Sequence, residues 1–301
     1  MRFGVNILNF GAGTDARALS AWARFAEDEG FHFAMISDHV AVTPDVAAQY
    51  PAPFYDPFTA LAWLAGRTSR IGLGTTVAVL PFRSPLLTAR MAQDIDEFSG
   101  GRMILGVGVS WAEREYAALG LPFGRRGAIT DEYLAVIRRC WTEDETSFAG
   151  ERVAFASVTA GRAAPPIWVG GASPAAMRRA VRFGDAWHPL NVRLDRLRDT
   201  ELPTLRRIAA EAGRPVPAFA PRIPLHISPE PLTGPDRLAG QGTLDQIHDD
   251  LLALAALGAE HVLFDTYRGP GHPPTPEADR QALRTLAGQA LDLPTGTIHP
   301  R

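Results

Sequence analysis

Phe33-Ala-Met-Ile-Ser-Asp-His-Val40 is an apolar run that ends on three polar side chains, Ser37, Asp38 and His39, with no turn residue between. In a barrel of parallel strands, residues just past each C-terminal strand end line the site, whereas those within the strand pack the core. The stretch reads as a strand followed by chemistry, and His39 is the first catalytic candidate.

Working outward, Phe3–Leu8 is a first strand, followed by a helix capped by Thr14 or Asp15, with Leu19, Trp22, Phe25 and Ala26 on one face and Gly30 as its stop. Phe33–Ser37 is the second strand, and Pro57–Gly66 gives the next helix. Arg70–Val79 is a third strand, after which Ser84-Pro85 opens a helix that ends near Gly100-Gly101. Met103–Gly108 leads through a polar loop to a helix over Ile129–Trp141. Phe148–Phe155 alternates about Gly150 and predicts a β-hairpin inserted near 146–157, the kind of insertion that often covers a site. Pro166–Gly170, a helix opened by Ser173-Pro174, Ala186–Leu190, Phe219–Ile227, a helix with the capping box Thr243-Leu-Asp-Gln246, and Glu260–Tyr267 complete the series. Eight strands alternating with helices imply parallel strands and right-handed crossovers, so the expected fold is a TIM (β/α)8 barrel with insertions, one domain over 1–301. A doubly wound sheet is the alternative. Gly106-Val-Gly108 lacks the third glycine of a dinucleotide fingerprint, which removes a Rossmann reading.

Composition narrows the chemistry. All 30 basic residues are arginine, so a lysine Schiff base, a pyridoxal phosphate enzyme and a Walker P-loop are excluded. The net charge of −3 and scattered arginines argue against a nucleic-acid partner. Cys140 is the only cysteine, which excludes an internal disulfide and a cysteine metal cluster and suits a buried thiol. The amino terminus enters a strand directly and no apolar run reaches membrane length, so a cytoplasmic protein without a membrane partner is expected.

Histidine passes protons near neutral pH, which suits His39 to act as a general acid or as an anchor for a cofactor ring; the alternative is a hydrogen-bonded loop residue. Adjacent strand residues face opposite sides, so Asp38 is the supporting member of the catalytic pair. Gly72-Leu-Gly-Thr-Thr-Val77 reads either as a bulge against a flat ring or as small residues chosen for packing. Val169-Gly-Gly-Ala-Ser-Pro174 turns a strand into a helix through a double glycine, an arrangement that aims free amides at a phosphate. Gly106-Val-Gly108-Val-Ser-Trp111 is a second small-residue loop at a strand end. Asp38, His39 and His188 could in principle converge on a metal, but no metal motif is present and no metal is expected. The absence of a Gly-x-Ser-x-Gly elbow argues against covalent hydrolysis.

Ser37-Asp38-His39, Leu73-Gly-Thr-Thr-Val77, Gly101-Arg-Met-Ile-Leu-Gly-Val-Gly108, Ile167-Trp-Val-Gly-Gly-Ala-Ser173 and Gly242-Thr243, in this order, resemble the bacterial luciferase-like superfamily, and in particular its deazaflavin branch that uses coenzyme F420. The resemblance implies a tricyclic ring across the C-terminal mouth of the barrel, with His39 near its reactive part. It implies a non-proline cis peptide at Thr76-Val77 backing the ring, with Thr75 beside it. Gly106, Gly108, Gly170, Gly171, Ala172 and Ser173 would contact the ring's tail and phosphate, and Trp111 would stack on ring or substrate. Several dehydrogenases of that branch carry a catalytic tryptophan shortly after the histidine and a glutamate in the strand-four loop, where this chain has Thr43 and Trp111. That departure favours reduction of a C=C, C=N or C=O bond over alcohol oxidation. An FMN-dependent monooxygenase using oxygen and a non-catalytic flavin-binding barrel are the competing readings. Substrate choice falls to the loops Ala41–Phe54, Trp111–Arg126 and Arg268–Pro276, whose aromatics suggest a small organic substrate. The resemblance also implies a homodimer.

Overall fold

Alternation within the second strand sets the two layers of the molecule. In β2 (Phe33–Ile36), Phe33 and Met35 point one way and Ala34 and Ile36 the other, as the two-residue period of a strand requires. Phe33 and Met35 join Trp168, Ala186, Ala220 and Leu263 in a cluster enclosed by strands. Ala34 and Ile36 join the larger core between strands and helices. The computed structural model describes residues 1–159, 164–272 and 275–300; residues 273–274 of the expected Arg268–Pro276 loop lie outside them.

The barrel strands are β1 (Arg2–Asn6), β2, β3 (Gly72–Thr75, resumed as Ala78–Val79), β4 (Met103–Gly108), β5 (Ile167–Gly170), β6 (Ala186–His188), β7 (Ala218–Phe219 and Arg222–Pro224) and β8 (His261–Asp265). All pair in parallel, with Gly4 opposite Phe33, Ile36 opposite Thr75, Leu105 opposite Ile167 and Gly170 opposite His188. The circuit closes through β7, whose first piece pairs with β6 and whose second pairs with β8. Pro221 and Pro224 lack a ladder donor, which is why the expected strand Phe219–Ile227 is broken into short pieces.

Eight helices follow the strands: α1 (Ala16–Asp28), α2 (Pro57–Ala65), α3 (Pro85–Ser99), α4 (Arg126–Thr142), α5 (Pro174–Phe183), α6 (Leu202–Glu211), α7 (Leu244–Ala256) and α8 (Pro276–Ala290). Asp15 caps α1 by accepting from Ala18, and Thr243 with Gln246 forms both bonds of the capping box on α7. The alternation is that of a TIM-barrel-like α/β fold. Sequence reading did not pick out α6 or α8. Pro203 and dense charge obscure α6, which is entered through a π-helical turn at Leu197–Glu201. The proline-rich approach from Arg268 obscures α8.

The hairpin is present as Glu145–Ala149 against Ala154–Thr159. It is fastened to α4, where Glu132 accepts from the amides of Arg152 and Val153 at 2.9 Å each. Glu151 in its turn also pairs with Arg125, so the insertion clasps α4 and the loop that leads into it. Cys140 is buried in α4. No described helix is long and apolar enough to cross a membrane.

Candidate active site

His39 is buried at the C-terminal end of β2, and its Nδ1 lies 2.7 Å from Oε2 of Glu115, which is fully buried. Glu115 stands on a short helix, Glu113–Ala118, in the loop after β4. Its other oxygen accepts from the amides of Val40 at 2.7 Å and Ala41 at 3.0 Å. One carboxylate thus ties down both the imidazole and the backbone that follows it. A carboxylate only accepts, so Nδ1 carries the proton of this bond and Nε2 is left to exchange one. The sequence reading missed Glu115. Ala112, Tyr116 and Leu119 share its face, but a helix of six residues is too short for that spacing to mark Glu115 apart from Glu113.

Asp38 serves a different network. Its oxygens accept from the Val79 amide at 2.9 Å and from both terminal nitrogens of Arg83 at 2.7 and 2.9 Å, and Arg83 also reaches Asp56 at 2.6 Å. Burial pushes Asp38 upward and the bidentate guanidinium pulls it back; Arg83, against its own burial, is held above its ordinary value by the two carboxylates. The pair fastens the strand that resumes after Thr76-Val77.

The Thr76-Val77 peptide is cis. It interrupts β3 at the level of the mouth, and three strands converge on it. The Thr76 carbonyl accepts from Arg222 at 2.9 Å, and its hydroxyl lies 3.0 Å from Nε2 of His188. Arg222 donates through Nε and Nη2 to Asp265, at 3.1 and 2.6 Å. Asp265 also accepts from Asn6 at 2.8 Å, and the remaining side-chain oxygen of Asn6 is buried without a partner.

His188 is 2 % exposed, and burial lowers its pKa to about 4, so it is neutral at pH 7. The unfolded chain takes up a proton near the ordinary pKa and the folded one only near 4, so this histidine costs stability as pH falls from about 6.5 toward 4 and adds no further loss below. A difference of this size is on the order of 3 kcal/mol. His188→Gln should flatten the fall in Tm over that window; an unchanged Tm profile would mean that another group carries it.

The glycines flank the cis peptide. A Cβ on Gly106 would sit 1.9 Å from the Thr75 carbonyl oxygen, one on Gly108 2.5 Å from Cγ2 of Val77, and one on Gly170 3.2 Å from Cγ1 of Val77. Gly72 and Gly74 leave room for Phe33, Met35 and Ile104, so β3 contains both a break and glycines used for packing. The Thr75 hydroxyl donates to the Gly106 carbonyl at 2.6 Å. At the start of α5, Gly171 has φ +101°, Ala172 and Ser173 are exposed, and Ser173 caps the helix by accepting from Ala176 at 3.2 Å.

Aromatic rings extend outward from His39. Tyr50 and Phe54 each lie 5.3 Å from its ring and Trp111, half exposed, lies 6.2 Å away. Phe10 and Tyr267 continue the wall at 5.2 and 5.7 Å from Tyr50. The structure thus gathers His39, Thr76, Val77, Gly108, Trp111 and Gly170 at one barrel mouth, while Asp38 braces it from behind. Among the described residues no three His, Cys, Asp or Glu side chains come together as a metal site.

A buried histidine paired with a buried carboxylate, a broken strand and an aromatic rim thus share one barrel mouth. The model for luciferase-like monooxygenases matches residues 1–231, and the chain belongs to that family. Among its relatives is a phthiodiolone/phenolphthiodiolone dimycocerosates ketoreductase of Mycobacterium kansasii, 30% identical over 250 residues, 80% of this chain and 65% of that one. An F420-dependent glucose-6-phosphate dehydrogenase of Intrasporangium calvum is 36% identical over 174 residues, 54% of this chain and 50% of that one. Among solved structures, monooxygenase RslO1 from Streptomyces bottropensis superposes with a TM-score of 0.76 at 21% identity, covering 96% of this chain and 98% of its own, a likeness of fold.

Proposed function

We propose that this chain is a coenzyme F420-dependent oxidoreductase that reduces a C=C, C=N or C=O bond of a small organic molecule. The observation that carries the reading is His39, locked by Glu115 at the barrel mouth within an aromatic rim. The residues present suit a flat tricyclic ring with an acidic tail. The half-exposed Trp111 offers a stacking face, the partnerless Asn6 oxygen an acceptor, and Gly171 to Ser173 a helix start for a phosphate. Bound there, the reduced deazaflavin supplies a hydride to an electron-poor carbon. With both ring nitrogens protonated, His39 supplies the matching proton from Nε2 to the neighbouring atom and keeps the one on Nδ1, which Glu115 accepts throughout; the aromatic rim excludes water from the transfer.

The F420-dependent relative supports the cofactor and the ketoreductase relative supports the direction. The family's name and the monooxygenase fold neighbour support FMN and oxygen as the second reading. A cytoplasmic homodimer belongs to the same proposal. Leu87 and Phe98, 51 % and 68 % exposed and eleven residues apart on one face of α3, supply apolar surface for the dimer.

Fluorescence titration with oxidised F420 and, separately, with FMN tests the cofactor. F420 binding with a dissociation constant on the order of micromolar and FMN binding at least about tenfold weaker is the expected result. Preference for FMN would move the enzyme to oxygen chemistry, and binding of neither would overturn the proposal.

A further inference from the structure

A cavity of about 330 Å³ lies between the end of β8 and the start of α8, lined among others by Thr266, Tyr267, Arg268, His272, Thr275 and Asp279. Thr266 is 5 % exposed and its hydroxyl is buried with no hydrogen-bond partner. Such a group destabilises the free protein, and a ligand atom beside it removes that cost. Among the described residues no ion pair or hydrogen bond engages the Arg268 guanidinium, the one arginine of the cavity lining. Thr275 is the N-cap of the 15-residue α8, so the cavity also faces the positive end of a helix. Asp279 contributes the opposing charge; it is buried, and burial raises its carboxyl to about 6. Arg268 and Asp265 are the other charged groups that act on it.

The cavity shares a wall with the candidate active site. Tyr267 lines it and packs against Phe10 at 5.1 Å and Tyr50 at 5.7 Å, and Tyr50 lies against His39. Two rings, Tyr267 and Tyr50, thus connect the cavity lining to His39. We propose that this cavity binds the anionic group, a carboxylate or phosphate, of a small organic ligand. On the reading of the site given above, the ligand is the substrate whose other end reaches His39. Arg268 and His272 meet the anion, Thr266 donates its free hydroxyl, and Asp279 weakens binding by repulsion.

The test is a titration of the cofactor-free chain with inorganic phosphate and, separately, acetate, followed by the NMR signal of the His272 ring, which is assigned by its loss in His272→Gln. Because no cofactor is present, the outcome does not depend on whether F420 or FMN is used. Phosphate or acetate should shift the signal with a dissociation constant on the order of 1 mM, and the tighter of the two names the group. Arg268→Gln should weaken binding about tenfold, and Asp279→Asn should tighten it. Thr266→Val should weaken binding while raising Tm, a pairing that a purely structural threonine would not give. No shift with either anion at about 20 mM, or binding that survives Arg268→Gln unchanged, overturns the proposal.

Discussion

Replacing His39 by alanine is expected to lower kcat by about 10²- to 10⁴-fold while leaving the affinity for the cofactor within a few-fold of the parent. The imidazole is the sole side chain at the barrel mouth that pairs a buried carboxylate on one nitrogen with a second nitrogen left to exchange a proton, among the described residues. Glu115→Gln tests the coupling. The amide oxygen can still accept from Val40 and Ala41, but the NH2 group would then face Nδ1 as a donor. Nδ1 of His39 must then accept, so the ring keeps its single proton on Nε2 as a neutral imidazole, a far weaker acid than the doubly protonated ring that Glu115 permits. The variant should therefore fold and bind cofactor, lose about 10²-fold or more in kcat, and show the exchanged tautomer in the nitrogen-15 spectrum of the His39 ring. A Glu115→Gln enzyme with parental kcat and the altered tautomer would separate the pair from the chemistry. A His39→Ala enzyme that keeps more than about a tenth of the parental kcat would remove His39 as well.

Much of this arrangement is legible in the sequence, for a physical reason. His39 stands out because a barrel strand must end on its own site, and Phe33 to Ile36 leave no doubt about where that strand runs. The capping box of α7 and the Ser173-Pro174 start of α5 are local signals and fall where they are expected. Relations between distant residues are not legible. Glu115 meets His39 from 76 residues away, and Arg222 reaches the Thr76 carbonyl across 146. No periodicity encodes such pairings. In Glu113-Arg114-Glu115 the decisive carboxylate resembles its exposed neighbour, and the spacing of a six-residue helix is too short to single it out. The hairpin illustrates the reverse case. Its alternation and central glycine mark it in the sequence, but its docking on α4 depends on Glu132, which nothing local connects to it.

The glycines of β4 and β5 support the last prediction, because their reading as cofactor contacts and their packing around the cis peptide imply different outcomes. Gly106→Ala is expected to destabilise the fold by about 3 kcal/mol or more, since the new methyl would overlap the Thr75 carbonyl and either β3 or β4 must move. The same substitution at Gly288, inside α8 with no neighbour within 4 Å, should instead stabilise by about 0.5–1 kcal/mol, because alanine restricts the unfolded chain and suits a helix. Gly108→Ala lies between these extremes. Its methyl meets Cγ2 of Val77, a side-chain atom, so Val77→Ala should recover most of its loss, whereas it should recover nothing for Gly106→Ala, where the obstacle is backbone. A double-mutant cycle on unfolding free energy measures that coupling directly. If Gly106→Ala folds with parental stability and loses only cofactor affinity, the glycine is there for the ligand, and the close approach of β4 to the Thr75 carbonyl is not what demands it.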